Sequence, residues 1–182
     1  MWQLAPFFVK RFLIPLLAAL ALPTVVNGAE LNIYIDDFTN EKEISVSEKS
    51  ENTLVLESSS GWNKKQYRNG YLIGQCRKNQ IVFSLETGVE VSNYEQRIDI
   101  KFDDSEIYWA RVNGRQNNSL LILETYYPTQ FKTKEFIEKI LQHEKLSIRF
   151  VDISDYYAVL KFDLEDLKTK LKEAEKEGCK LY

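Results

Sequence analysis

The chain has 182 residues, of which 44% are hydrophobic and 13% aromatic, with only 7 Gly and 4 Pro. Such a composition can bury enough apolar surface to offset the entropy of ordering, which excludes a largely disordered, collagenous or Pro-rich chain. The sequence holds one His and two Cys. Because these side chains supply many metal sites, the composition disfavours a hydrolytic metalloenzyme.

The N-terminal residues have the order of a secretory signal peptide. Lys10 and Arg11 precede an apolar stretch over 12–22, and small residues follow up to Gly28 and Ala29. The stretch is shorter than the roughly 18–20 residues that span a bilayer. We therefore expect a signal peptide over 1–29, cleaved after Gly28 or Ala29, and a single periplasmic or secreted domain over 30–182 without a stable transmembrane span. The alternative is an uncleaved anchor.

Cleavage would remove two basic residues and leave an acidic domain. Nucleic-acid binding needs clustered Lys and Arg to neutralise phosphates, so we expect no nucleic-acid partner.

Alternation of apolar and polar residues with a period of two dominates the remaining chain and predicts about nine short strands. They cover 31–35, 53–57, 71–76, 81–85, 98–102, 107–112, 120–123, 146–150 and 157–161. Short connectors that include 68–70 and 113–114 carry Asn-Gly, which favours tight reversals and antiparallel pairing.

Two segments change to helical spacing, 133–143 and 163–177. Asp163 suits the N-cap of the second helix, and Gly178 suits its C-terminal stop. The pattern predicts an α+β fold that is mainly β: an antiparallel sheet or sandwich with one inserted helix and one C-terminal helix.

Cys76 and Cys179 are the only cysteines, in a chain with an export signal. A disulfide between them is the favoured interpretation, and two separately buried thiols are the alternative. A metal site that adds His143 lacks a fourth ligand and any short ligand spacing.

No residue set predicts catalysis. His143 lies at the end of the first helix, where a cation suits the helix dipole, and no serine has the G-x-S-x-G pattern. The pairs Asp36-Asp37 and Asp103-Asp104 are interpreted as solvated turns. We expect no catalytic residue, no metal and no cofactor.

The stretch 62–71 interleaves aromatic and cationic side chains, which can stack on rings or meet anionic groups. An exposed loop is the simpler interpretation, and partner binding is the functional one. The candidate partner-binding residues are Trp62, Lys64, Lys65, Tyr67, Arg68 and Tyr71.

Several segments, in their order and spacing, resemble the VasI/TagO-type accessory proteins of bacterial type VI secretion systems. They are the Cys76 strand at 72–79, then 97–104 with Trp109, 136–141, 145–149, 158–164 and the terminal Cys179. The chain departs from the family's pattern at Glu165-Asp166, and its segment between Trp109 and Phe136 looks longer than usual. The resemblance implies a non-enzymatic envelope protein whose partner is an envelope or secretion-system protein.

Two other functions remain open. One is a small periplasmic hydrolase that uses carboxylates on cell-wall glycan, and the other is a secreted inhibitor of an enzyme. A deep cleft with convergent carboxylates of shifted pKa would favour the hydrolase. A protruding loop and an exposed apolar patch would favour binding or inhibition.

Overall fold

The computed structural model describes residues 28–38, 40–57, 65–91, 95–114, 120–122 and 133–181. Nine strands and two helices lie in these ranges, so the α+β, mainly β class is confirmed. The strands are β1 (Glu30–Ile35), β2 (Lys42–Glu57), β3 (Lys65–Arg77), β4 (Gln80–Glu86), β5 (Glu95–Phe102), β6 (Tyr108–Gly114), β7 (Leu120–Ile122), β8 (Lys145–Val151) and β9 (Tyr157–Asp163). The helices are α1 (Thr133–Gln142) and α2 (Glu165–Lys176).

All strand pairs are antiparallel, in the spatial order β1-β2-β3-β4-β7-β6-β5-β8-β9. The short strand β7 joins two four-stranded halves through three residue pairs with β4 and two with β6. This arrangement resembles a sandwich whose halves belong to one continuous sheet.

The sheet curls so that β2 and β9, far apart in strand order, come into contact. Asn52 bridges these two strands from the point where the β2–β3 register shifts between Lys49 and Thr53. Its amide Nδ2 donates to the Val159 carbonyl at 2.8 Å, and its Oδ1 accepts from the Lys161 N–H at 2.8 Å. One side chain therefore takes the place of a backbone pair between the two strands.

The core lies between the sheet halves and under the helices. Inward positions alternate along the strands, as Ile98, Ile100 and Phe102 do in β5. Helix α2 buries Leu167, Leu171 and Ala174 and contacts β1 and β2. Each large apolar side chain buried in this way contributes about 1.5–3 kcal/mol through removal from water.

The disulfide between Cys76 and Cys179 is present, as expected. It joins β3 to the residue that follows Gly178, across 103 positions of sequence, with the two Cα atoms 5.7 Å apart. The terminal segment is also held by the main chain, because Lys180 bonds both Asn79 and Ile81. In the chain-entropy account, a disulfide that closes a loop of this length raises the free energy of unfolding by about 4–5 kcal/mol.

The turn expected at 68–70 is wrong, because Asn69 and Gly70 lie inside β3. Two interactions keep this Asn-Gly extended: the Gly70 N–H donates to Ser50 Oγ at 3.0 Å, and Asn69 Nδ2 donates to the Ser50 carbonyl at 3.1 Å. Glycine is also required by space, since a Cβ at Gly70 would lie 2.2 Å from Leu160 Cδ1. β2 also differs from the expectation, because it begins at Lys42 and not at residue 53.

No described helix is both long and apolar enough to cross a bilayer.

Candidate functional site

A cavity of about 480 Å³ opens where β2, β3 and the start of α2 meet. We call it the acidic cleft, because five of its lining side chains are carboxylates. The lining residues are Glu48, Lys49, Ser50, Glu51, Asn69, Asp163, Glu165 and Asp166.

Glu48 is the most unusual residue of the acidic cleft. It is only 3% exposed, and its Oε2 has no hydrogen-bond partner among the described residues. The pKa of Glu48 is raised to about 8, first by burial and then by the nearby carboxylates of Asp166, Asp163 and Glu51. The carboxyl group is therefore largely protonated at pH 7.

Lys145 holds two other carboxylates near the cleft. Its Nζ lies 2.7 Å from Glu51 Oε1 and 2.7 Å from Asp163 Oδ2. The Lys145 bond lowers the pKa of Asp163, together with the Glu165 N–H, which donates to Asp163 Oδ1 at 3.0 Å. The N-cap of α2 is Leu164 and not Asp163, so the expected cap is one residue off, although Asp163 still accepts the first N–H of the helix. Neutral Glu48 and ionised Asp163 lie in one cavity.

Two carboxyl groups with pKa values moved apart are what acid–base catalysis requires. However, the unpartnered Glu48 oxygen is shielded from solvent, and Asp163 is already paired with Lys145. A substrate would have to open the protein around Glu48 and break the Lys145–Asp163 ion pair before it could use both carboxyl groups. In the ranges described, no three His, Cys, Asp or Glu side chains are placed to hold a metal ion.

His143 lies just after α1, and its ring is bonded to a carboxylate. Its Nδ1 is 2.9 Å from Asp103 Oδ2, and Asp103 Oδ1 also accepts from the Lys145 N–H at 2.7 Å. Slight burial works to raise the pKa of Asp103, but the Lys145 N–H, His143 and the Glu144 N–H together lower it. Asp103 is therefore a capping group for the turn that enters β8, which corrects its interpretation as a merely solvated residue.

Only some of the expected partner-binding residues fall in the part of the chain that the structure describes; Trp62 and Lys64 lie outside it. Lys65, Tyr67, Arg68 and Tyr71 lie in β3 and not in the loop expected for them. Tyr67 and Tyr71 share one face by alternation, and Arg68 points to the other. Tyr67 is 64% exposed and Tyr71 is 36% exposed. The structure thus brings two of the six, Tyr67 and Tyr71, to one strand face.

An exposed apolar surface lies at the edge of the sheet formed by β1, where the sequence predicted no site. Ile33, Tyr34 and Ile35 are exposed in β1, and Phe38 in the following turn is 99% exposed. β1 pairs with β2 on one side only, and no described strand lies on its other side. We call these four residues and the unpaired side of β1 the β1 edge. The signal in the sequence is the run Ile33-Tyr34-Ile35, which puts large side chains on both faces of the end of this strand.

Aromatic and cationic side chains do meet in the other half of the sheet, outside the stretch 62–71 for which such contacts were expected. The Arg97 guanidinium lies 5.6 Å from the Trp109 ring centre, and that of Arg149 lies 5.3 Å from the Tyr157 ring centre. Asp99 accepts hydrogen bonds from both arginines. These residues come from four strands, so only the strand order and register bring them together.

Comparison of the chain with protein-family models, with curated proteins and with solved structures found no match to any of them.

Proposed function

We propose that the protein is a non-enzymatic binding module of the bacterial envelope, exported and closed by its disulfide. The β1 edge carries this proposal. By the resemblance of its segments to VasI/TagO-type proteins, we connect it with type VI secretion, with an envelope or secretion-system protein as the partner. Inhibition of another protein's activity would be one form of such binding.

An unpaired strand is a template for strand addition, in which a partner segment forms main-chain hydrogen bonds with the edge. Soluble proteins usually protect such edges with charge, Pro or a covering element. Here Ile33 and Ile35 are exposed on one face of β1 and Tyr34 on the other. Main-chain bonds would supply affinity, and contacts with these alternate side chains would supply specificity.

The proposed location outside the cytoplasm has two supports. The residues 1–29 have the order of a signal peptide, and the Cys76–Cys179 bond is of the kind that persists in oxidising compartments. Both are independent of the resemblance.

Substitution at the edge tests the proposal. We expect Ile33→Lys combined with Ile35→Lys to abolish copurification of a defined envelope partner with the tagged chain from its native host. Ile153→Lys is the matched control, because Ile153 is similarly exposed in the β8–β9 turn. Equal recovery of the partner by both variants, with folding verified by circular dichroism, would contradict the proposal.

The acidic cleft favours a second candidate, the carboxylate-dependent glycan hydrolase. Its support is the raised pKa of Glu48 beside the lowered pKa of Asp163. A general acid typically contributes about 100- to 10,000-fold to a rate. If the protein degrades purified peptidoglycan and Glu48→Gln removes that activity by such a factor, the hydrolase replaces the binding module.

A further inference from the structure

We propose that the acidic cleft is the binding site for the protein's own α-ammonium group, created at Ala29 when the signal peptide is removed. The inference rests on the proposed export of the chain, and it assigns an occupant to the cleft that the binding function does not use. It also selects one of the two expected cleavage positions.

The strand register places Ala29 next to Glu48. In the β1–β2 pair Glu30 lies opposite Ser47, so continuing this antiparallel register by one residue brings Ala29 opposite Glu48. Directly opposite residues point to the same face of a sheet. The burial agrees with this placement, since Ala29 is 8% exposed and Glu48 is 3% exposed.

The preceding residue, Gly28, lies against Asp166, another carboxylate of the cleft. A Cβ built on Gly28 would lie 2.2 Å from Asp166 Oδ2, which means that the main chain here runs against this carboxylate. The Gly28–Ala29 peptide is therefore flanked by Asp166 of α2 at Gly28 and, through the strand register, by Glu48 of β2 at Ala29.

Hydrolysis of that peptide bond adds one water, leaves a carboxylate on Gly28 and an amine on Ala29. Gly28 departs with the signal peptide, and the amine takes a proton, since such groups have a pKa of about 8. The product is a cation with three N–H donors. Glu48 Oε2 is a buried acceptor that lacks a partner in the described chain, and a new donor beside it meets this need.

The charge of the surroundings also suits a cation. Glu48, Glu51, Asp163, Glu165 and Asp166 line the cleft against a single lining cation, Lys49. Lys145 reaches Glu51 and Asp163 from one side and leaves Glu48 and Asp166 without an ion pair among the described contacts. The ammonium would lie on that second side.

The burial of Ala29 favours the product of cleavage after Gly28. Cleavage after Ala29 would remove a side chain that packs against the core and would move the ammonium one residue further from Asp166. Cleavage after Gly28 keeps this side chain and places the charge next to the cleft. The exported protein should accordingly begin at Ala29.

The test compares residues 29–182 with a free Ala29 amine and the same chain acetylated at that nitrogen, by urea unfolding at pH 7. We expect acetylation to raise the unfolding equilibrium constant at least tenfold. In the Glu48→Gln, Asp166→Asn double variant the two forms should unfold alike. Glu175→Gln, another exposed acid of α2, is the control and should keep the full difference.

Equal stability of the free and acetylated forms of the unsubstituted chain would overturn the proposal. So would a difference that persists undiminished in the double variant. A readout that does not depend on stability is the pKa of Glu48 from carboxyl ¹³C shifts, which should be lower in the free-amine form. Crosslinking at the β1 edge should be the same in both forms, so failure here leaves the binding function untouched.

Discussion

Glu48 occupies a position where the alternation of β2 places buried side chains. Ile44 and Val46 precede it on the inward face, and Ser50 follows. The sequence therefore held a signal for this site: a carboxyl group in phase with two aliphatic residues. The signal was missed because the strand was expected to begin at residue 53, which removed the phase on which the inference depends.

Burial of this carboxyl makes stability depend on pH. In a chain whose Ala29 nitrogen is acylated, the folded pKa of about 8 lies above the ordinary value of 4.5. The folded state then binds the extra proton between these values, so the free energy of unfolding falls as pH rises from about 5 to 8, by at most about 1.4 kcal/mol per pH unit. Urea titrations across this range should show the fall, and Glu48→Gln should flatten it. An unchanged slope in the variant would contradict the pKa.

Asp103 and Asp104 are adjacent acids with different roles. Asp103 accepts hydrogen bonds from His143 and from the N–H groups of Glu144 and Lys145, whereas the Asp104 side chain is fully exposed. We expect Asp103→Ala to lower the free energy of unfolding by about 1–2 kcal/mol, and Asp104→Ala by less than about 0.5 kcal/mol. Chemical denaturation measures both, and equal effects would show that the capping bonds do not matter.

At the scale of elements, one amide contributes hydrogen bonds to the closure of the sheet. Asn52 spans β2 and β9 with a donor bond to Val159 and an acceptor bond from Lys161. Asn52→Ala leaves the Lys161 N–H and the Val159 carbonyl to find water, so we expect a loss of about 1–3 kcal/mol in the free energy of unfolding. Hydrogen exchange should rise at Lys161 before it rises in β5. Unchanged protection at Lys161 would mean that Asn52 is not the connection.

The disulfide fixes the end of the chain to β3. Replacing both cysteines by Ala should cost about 2–5 kcal/mol, because the unfolded chain regains the freedom of the closed loop. Urea unfolding of the double variant measures the loss, and dithiothreitol should have little effect on that variant. A double variant as stable as the oxidised parent would show that packing alone holds the terminus.

The sequence predicted the elements better than their lengths. Strands such as β5 and β8 alternate cleanly, and their predicted ends lie within three residues of the observed ones, because each has one buried face. β3 was cut short at Asn69-Gly70, whose turn preference is overridden by Ser50 and by the close approach of Leu160. The turn preference of a residue pair reflects only its sequence neighbours, so it cannot predict contacts with a strand that follows much later in the chain.

Across the whole molecule, two of the three surfaces described above depend on pairing between residues far apart in sequence. The acidic cleft combines β2, β3 and α2, and the Arg97–Trp109 and Arg149–Tyr157 pairs combine four strands. Neither can be read from spacing along the chain. The β1 edge differs, because its apolar residues are contiguous, and only its position at the end of the sheet needed the structure.

The central claim is that a partner binds along β1, and site-specific photo-crosslinking tests it most directly. A photoreactive amino acid in place of Ile35, in the protein exported by its native host, should form one discrete adduct with an envelope protein that mass spectrometry identifies. The same group in place of Ile153 should form none. Absence of any adduct at position 35 in a folded, disulfide-bonded protein, or the same adducts at both positions, would contradict binding at the β1 edge.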